Sequence, residues 1–555
     1  MSLSDLEASD CLQQRARRAM QACLKALASE GAEPAGKRLE AEALHEALSV
    51  AVLRFVVLTM GRARGLFTQE RDFANGRLFA TLDARFDTRA LIRDGALCWE
   101  FGRVFAGAEA AFRAELEQGL NSDGVDWATC PVELVGNLYE QLLGEGVRQT
   151  EQGGFELKSG KRRKQTGTFF TPRALTEIVA ARALEPLQRR IRSSSHRAHD
   201  FVLDFRVCDP SVGGGAFLLQ VMRALLAEPA PRASTERRRA LVSCVVHGVD
   251  VNPIAVAVAE AALCLFVADP NFSLQEAGKN LRVGDALLGP PYAPSTRAKG
   301  ARKAEPKASQ RLDFIAEFPE VFERGGFDLV IGNPPWVAYA GRAAQPLSPE
   351  RKAYFADHYS TLKGYPTLHG LFVERALRLA PQGTVALVVP SPIADLHGYR
   401  AVRRAVRASH TPCEPMLEFG QDAFASVTQP CFALIAEASS GSSTDSTDSR
   451  ESSAGQPFRL AERQRAAGSA EELMPPAALL ELAKARAFPR ELFGEMGFQT
   501  TSVVSKQLLR RSPDPDAIHH YPLLEGRDVH EFSEGEPQLF LSPDADALSK
   551  ARCRL

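Results

Sequence analysis

The sequence predicts an α/β fold, a parallel or mixed β-sheet covered by helices, with a helical region before it and a short separate piece after it. Three observations carry that expectation. Between about residues 166 and 437, short apolar runs (FRVCD, VVHGVD, FDLVIGN, TVALVVP and CFALIA) alternate with helical stretches, the pattern of a helix-covered sheet. Residues 1 to about 165 instead place apolar positions at helical spacing, as in Leu39 to Leu66 and Val132 to Leu143. The segment 439–456, SSGSSTDSTDSRESSAGQ, is a flexible linker by composition, and roughly a hundred residues follow it. The expected boundaries are therefore a helical region over 1–165, an α/β domain over 166–437, a linker over 438–457 and a final region over 458–555.

Composition narrows the class. A chain of 555 residues has room for two or three domains, and 45% apolar with 24% charged residues is ordinary for a globular protein. No unbroken run of 18 apolar residues occurs, and the first ten residues carry acids rather than a basic leader, so neither a membrane span nor a signal peptide is expected. The ten cysteines show no C-x-x-C pair and no zinc spacing, which points to reduced thiols in a cytoplasmic protein without a structural metal. The net charge of −1 gives no overall attraction for a polyanion. Basic residues nevertheless bunch at 158–164, 189–197, 299–303 and 400–407, as either phosphate-neutralising patches or solvated loops.

Four sites carry chemistry. Val207 to Leu218 (VCDPSVGGGAFL) follows a β-like run and opens a helix expected from Leu218 to Ala227. Its three glycines allow a sharp turn and the close approach of a ligand. It lacks the third glycine of a dinucleotide fingerprint, since Leu218 stands there, and the Gly-Lys-Ser/Thr of a phosphate loop. In VHGVDVNP, Asp250 ends the next strand, where doubly wound folds hold ribose hydroxyls; capping the following helix (Ile254 to Phe266) is the other reading. In NLRVGDAL, Asp285 is placed to accept a hydrogen bond from an adenine amine. Together, in this order, the three suit a nucleoside.

The fourth site is Asn333-Pro334-Pro335-Trp336, directly after FDLVIG. An exocyclic amine on an aromatic ring is a poor nucleophile because its lone pair is delocalised. The Asn333 side-chain oxygen and the Pro334 carbonyl are both acceptors, so together they suit its two hydrogens and favour a tetrahedral nitrogen. Pro334 and Pro335 fix φ and preset the carbonyl direction. Trp336 offers a flat face for a base taken out of its helix, and such stacking is worth about 1–3 kcal/mol per base.

With these motifs the chain resembles the gamma class of N6-adenine DNA methyltransferases, the group that includes fused restriction-modification enzymes. The resemblance covers about residues 130 to 437 and, more faintly, 490 to 540. It implies a Rossmann-like, S-adenosylmethionine-dependent methyltransferase sheet, double-stranded DNA as partner and a role in restriction-modification or phage defence. Thr168-Phe169-Phe170-Thr171-Pro172 would contact the cofactor at the start of the domain, with Thr171 as a helix cap and Pro172 in its first position. Asp209, Pro210, Gly213 and Gly215 would line the methionine moiety, Asp250 the ribose and Asp285 the adenine, with Phe217 and Ala286 completing the cofactor set. Asn333 to Trp336 would be catalytic, and Phe424 would be the second aromatic around the flipped base, with Phe432 as fallback.

Two departures stand out. Trp336 replaces the usual Tyr or Phe of adenine enzymes, and Ser211-Val212 replaces the commoner Ala-Cys. Tyr521 to Phe532 resembles the opening of a target-recognition domain, usually far longer, so recognition is reduced here, is supplied by a separate specificity or defence-complex subunit, or belongs to a truncated product. Two alternatives stand beside this reading: an inactive methyltransferase-fold specificity or scaffold subunit, or a fused endonuclease using Glu156-Leu157-Lys158 as its E-x-K. Methyltransferases of protein glutamine and ribosomal RNA guanine share the N-P-P-aromatic turn.

Overall fold

The computed structural model describes residues 3–29, 41–66, 111–116, 126–159, 171–193, 202–226, 234–290, 311–439 and 455–460 apart from a few short gaps, and five short strands between 509 and 541. The chain divides into two units, residues 1–463 and 464–555.

The N-terminal part is built on helices α1 (Leu3–Ser29), α2 (Ala41–Ala63) and α3 (Glu133–Leu143). Within α2, Leu44–Ala63 is long and apolar enough to cross a membrane, but 83% of its hydropathy window is buried against the rest of the protein. Nearly every residue of α3 is buried, polar ones included. A hairpin of β1 (Glu145–Gln149) and β2 (Phe155–Ser159) interrupts the stretch expected to be helical. Its Glu156 pairs with Arg148 across the two strands, so this E-x-K carboxylate is engaged within the hairpin.

The central sheet contains β3 (Val207–Asp209), β4 (Val246–Asp250), β5 (Leu281–Val283), β6 (Leu329–Gly332), β7 (Thr384–Pro390), β8 (His410–Pro412), β9 (Leu417–Gly420) and β10 (Cys431–Ala438). Its order is β5-β4-β3-β6-β7-β10-β8, with β9 also paired to β10. Strands β5 to β7 along that path are parallel, and β10 runs antiparallel to β7. All five apolar runs read from the sequence are strands. Parallel strands covered on both faces need continuous apolar sequence, and TVALVVP is buried at all seven positions.

Two hydrophobic layers sandwich the sheet. Leu329, Ile331, Ala386 and Val388 pack with helices α4 (Arg173–Ser193), α5 (Ala216–Leu226) and α6 (Pro253–Val267) and with the N-terminal helices. The alternate residues Val330, Val385, Leu387 and Val389 pack with α7 (Pro349–His358), α8 (Leu368–Leu379) and α9 (Arg400–Ser409). The chain moves outward from β3 through β4 to β5 and returns to β6 on the other side of β3. That reversal opens a crevice beyond the carboxyl ends of β3 and β6, where open α/β sheets bind ligands.

The basic run of α9 is partly structural. Arg403, 2% exposed, donates to the carbonyls of Ile393, Leu396 and Gly455. Arg407 donates to those of Gln456 and Pro457. Residues 455–460 thereby pack on the first unit, where buried Phe458 lies against Phe432. The second unit holds a three-stranded antiparallel sheet of Leu509–Arg511, Leu539–Leu541 and Tyr521–Leu523, and a small ladder of Val529–His530 with Ser533–Glu534.

Candidate functional site

Asp209 and Asp250 end β3 and β4; Asp285 and Asn333 follow β5 and β6 by two residues and one. All four line one cavity of about 930 Å³, together with Thr171, Pro210, Gly213, Phe217, Ala286 and Pro335. Pro172, Gly215, Pro334, Trp336 and Phe424 do not line it. Thr168 and Phe170 lie outside the described residues.

The glycine-rich turn is shaped by positive φ, +50° at Gly213 and +82° at Gly215, a backbone that side chains disfavour. Between them, Gly214 sits directly against α3, where a Cβ would come within 2.5 Å of the Gly136 Cα. The turn is tied to its neighbours by the Asp250 carboxylate, whose Oδ2 accepts from the Gly213 N–H (3.0 Å). Asp250 Oδ1 accepts from the Asn252 N–H (2.8 Å), and Asn252, not Asp250, caps α6 by accepting from the Ile254 N–H. The capping alternative for Asp250 is therefore set aside by its neighbour. The Asn252 amide also donates to the Tyr139 hydroxyl of α3 (2.7 Å).

Two of the carboxyl groups in this cavity, those of Asp209 and Asp285, are buried. Asp209 is 1% exposed, and its Oδ1 accepts from the Ser211 N–H (3.0 Å). Burial pushes its pKa up to about 7, and the charge of Asp250 adds to the effect. Burial also raises Asp250. Asp285 accepts from the Leu287 N–H through Oδ1 (3.0 Å) and from the Arg351 guanidinium through Oδ2.

Asn333 is held by the strand-end geometry and by two contacts from afar. Its Nδ2 donates to Thr171 Oγ1 (3.0 Å), and its carbonyl accepts from the Ser211 hydroxyl (3.4 Å). Its Oδ1 is buried without a hydrogen-bond partner. A buried acceptor left unsatisfied costs about 1–3 kcal/mol, so a donor entering this cavity would relieve a standing penalty. Trp336 packs edge to face on Phe424, ring centroids 5.2 Å apart at 83°, and its indole N–H donates to the Val388 carbonyl (3.3 Å). The two aromatics thus touch one another beside the cavity.

Several lining residues were not read from the sequence. His45 and Ser49 of α2, Tyr139 and Glu140 of α3, and Arg351 of α7 all face the cavity. The N-terminal helices, for which the sequence named no site, supply one of its walls. Glu140 is buried, with its Oε1 3.7 Å from the position a Cβ would take at Gly213. Helical periodicity signals that such a helix is covered but not what covers it.

The profile of the Eco57I restriction-modification methylase family matches residues 245–424. The adenine-specific methyltransferase PglX of Streptomyces coelicolor is 26% identical over 289 residues, covering 49% of this chain and 21% of that protein. The type II methyltransferase M.TthHB8I of Thermus thermophilus is 34% identical over 80 residues, 14% of this chain and 19% of its own. The chain spans about a fifth of the length of these curated relatives. Among solved structures, a DrdV–DNA complex aligns with TM-score 0.49 at 13% identity, over 79% of this chain and 42% of the other. The type IIL enzyme MmeI in complex with DNA aligns with TM-score 0.43 at 16% identity, over 76% and 56%. Residues 245–424, which carry Asp250, Asp285 and Asn333, are thus the part of the chain that is similar to the Eco57I restriction-modification methylase family.

Proposed function

We propose that this protein methylates the N6 amine of an adenine flipped out of double-stranded DNA, with S-adenosylmethionine as methyl donor, in restriction-modification or phage defence. The observation that carries the reading is the buried, unpartnered Asn333 Oδ1 at the switch point of the sheet. An amine hydrogen is the donor this oxygen lacks, and holding it draws the nitrogen lone pair out of conjugation. Thr171 anchors the other end of the same amide, which fixes the direction of the acceptor. Orienting a weak nucleophile in this way lowers the barrier by geometry rather than by acid–base chemistry.

The cavity suits the cofactor. Its volume lies within the range of about 300–1,000 Å³ common for small-molecule sites. When bound, S-adenosylmethionine would supply an electrophilic methyl group on a sulfonium. Asp209 would bring negative charge toward its α-ammonium and sulfonium groups, Asp250 would accept from the ribose hydroxyls and Asp285 from the adenine amine. Trp336 and Phe424 are the proposed stacking pair for the flipped base, which would enter by parting their edge-to-face contact. A cytoplasmic location and a separate specificity or defence-complex subunit complete the proposal.

Methylome sequencing of DNA from cells expressing this chain, beside cells expressing N333A, tests it. The expected result is N6-methyladenine at a defined sequence with the native protein and none with the variant, while the purified variant keeps its affinity for S-adenosylmethionine. N4-methylcytosine instead would overturn the choice of base, and methylation surviving in N333A would overturn the mechanism.

A further inference from the structure

Asp285 reaches the cavity with both oxygens already engaged. Oδ1 accepts from the Leu287 N–H in its own turn, and Oδ2 pairs with Arg351, 66 residues further along the chain. Arg351 is itself held. It lies in the first turn of α7, where the Ser348 hydroxyl accepts from its backbone N–H (3.3 Å). Its guanidinium carbon lies 5.4 Å from the centre of the Phe355 ring one turn later. A planar cation placed over an aromatic face and against a carboxylate has little freedom to wander. Arg351 and Asp285 line the same cavity.

We infer that Arg351 is a positioning residue that makes this site selective for a 6-amino purine over a 6-oxo purine in the cofactor. The inference rests on the proposed cofactor reading and extends it to a residue outside the strand ends. A carboxylate offers about four acceptor positions, of which two are taken here, so the group can still accept from a ligand. Fixed in place, it rewards an exocyclic amine and repels a carbonyl oxygen at the same ring position. Released from Arg351, it can turn about its χ angles and accept instead from the N1–H that a 6-oxo purine presents. Selectivity therefore depends on the carboxylate being unable to turn, and Arg351 supplies that restraint from a different element.

The test is a binding measurement that needs no DNA and no turnover. Calorimetric titration with S-adenosylhomocysteine and with its 6-oxo counterpart, S-inosylhomocysteine, would be run on the full chain, R351A and R351K. The native protein should prefer the 6-amino ligand by on the order of 100-fold or more, as sites that hydrogen-bond a ligand N–H do. R351A should lose about tenfold or more of that preference, the 6-oxo ligand gaining relative to the 6-amino ligand once loss of the charge-assisted Arg351 contact leaves the Asp285 carboxylate free to turn. R351K should recover part of it. Equal weakening of both ligands in R351A, or no change in their ratio, would overturn the inference. A native protein that binds neither ligand would overturn the cofactor reading itself and this inference with it. If R351A melts well below the native protein, R351Q, which keeps a neutral donor on a shorter stem, provides the same comparison.

Discussion

On the proposed function, Asp209 gives cofactor affinity a pH dependence whose direction follows from its burial. Its carboxyl is buried at the end of β3 and titrates at about 7 rather than near 3.8. A cationic ligand favours the ionised form. A group with that pKa is about one-tenth ionised at pH 6 and about nine-tenths ionised at pH 8, so affinity for S-adenosylmethionine should rise up to about tenfold across this interval. The unliganded protein responds with the opposite sign. Because the folded-state pKa is raised, this group's contribution to stability is full below about pH 4 and is lost as the pH climbs through about 7. Calorimetric titration at half-unit steps, for the native protein and D209N, separates this effect from titration of the ligand's own α-amine, which is common to both. Superimposable pH profiles for the two proteins would refute the assignment of the charge to Asp209.

Thr171→Val removes the hydroxyl that accepts from the Asn333 amide, and should lower kcat about tenfold with little change in cofactor affinity. Thr171→Ser should keep most of the rate; a loss confined to cofactor binding in single-turnover and titration experiments would place Thr171 in a different role. Gly214→Ala drives a methyl group to 2.5 Å from the Gly136 backbone. It should destabilise the protein by about 1–3 kcal/mol and weaken cofactor binding, both readable by thermal melting with and without S-adenosylhomocysteine.

The sheet was legible because its central strands are buried on both faces and so are written as continuous apolar runs. Strands β5, β8 and β9 were missed as strands. LRV, HTP and LEFG are short, partly exposed segments whose pairing comes from the neighbours and not from their own pattern. The strand-end residues were legible for a chemical reason: carboxylates, an asparagine and paired prolines are costly at the edge of a core unless something uses them. What the sequence hid was reach. Glu140, Tyr139 and Arg351 enter the site from elements far away in the chain, and no local pattern announces a partner that only topology brings near. The basic run at 400–407 shows the converse. Its charges are conspicuous in the sequence, yet Arg403 spends its donors on backbone carbonyls.

The seat of α3 on the glycine turn bears on how this protein can be cut and rejoined. With Gly136 against Gly214, Glu133 bonded to Arg223 and Gln220 of α5, and Tyr139 bonded to Asn252, the helix closes the cavity from outside the sheet. A fragment beginning at residue 166 would therefore carry the entire sheet and still be open on one side. Two fragments divided there should regain ligand binding when mixed, and ligand should tighten their association. In a gene fusion or domain exchange, the transferable cassette begins before residue 133, well ahead of the first strand of the sheet.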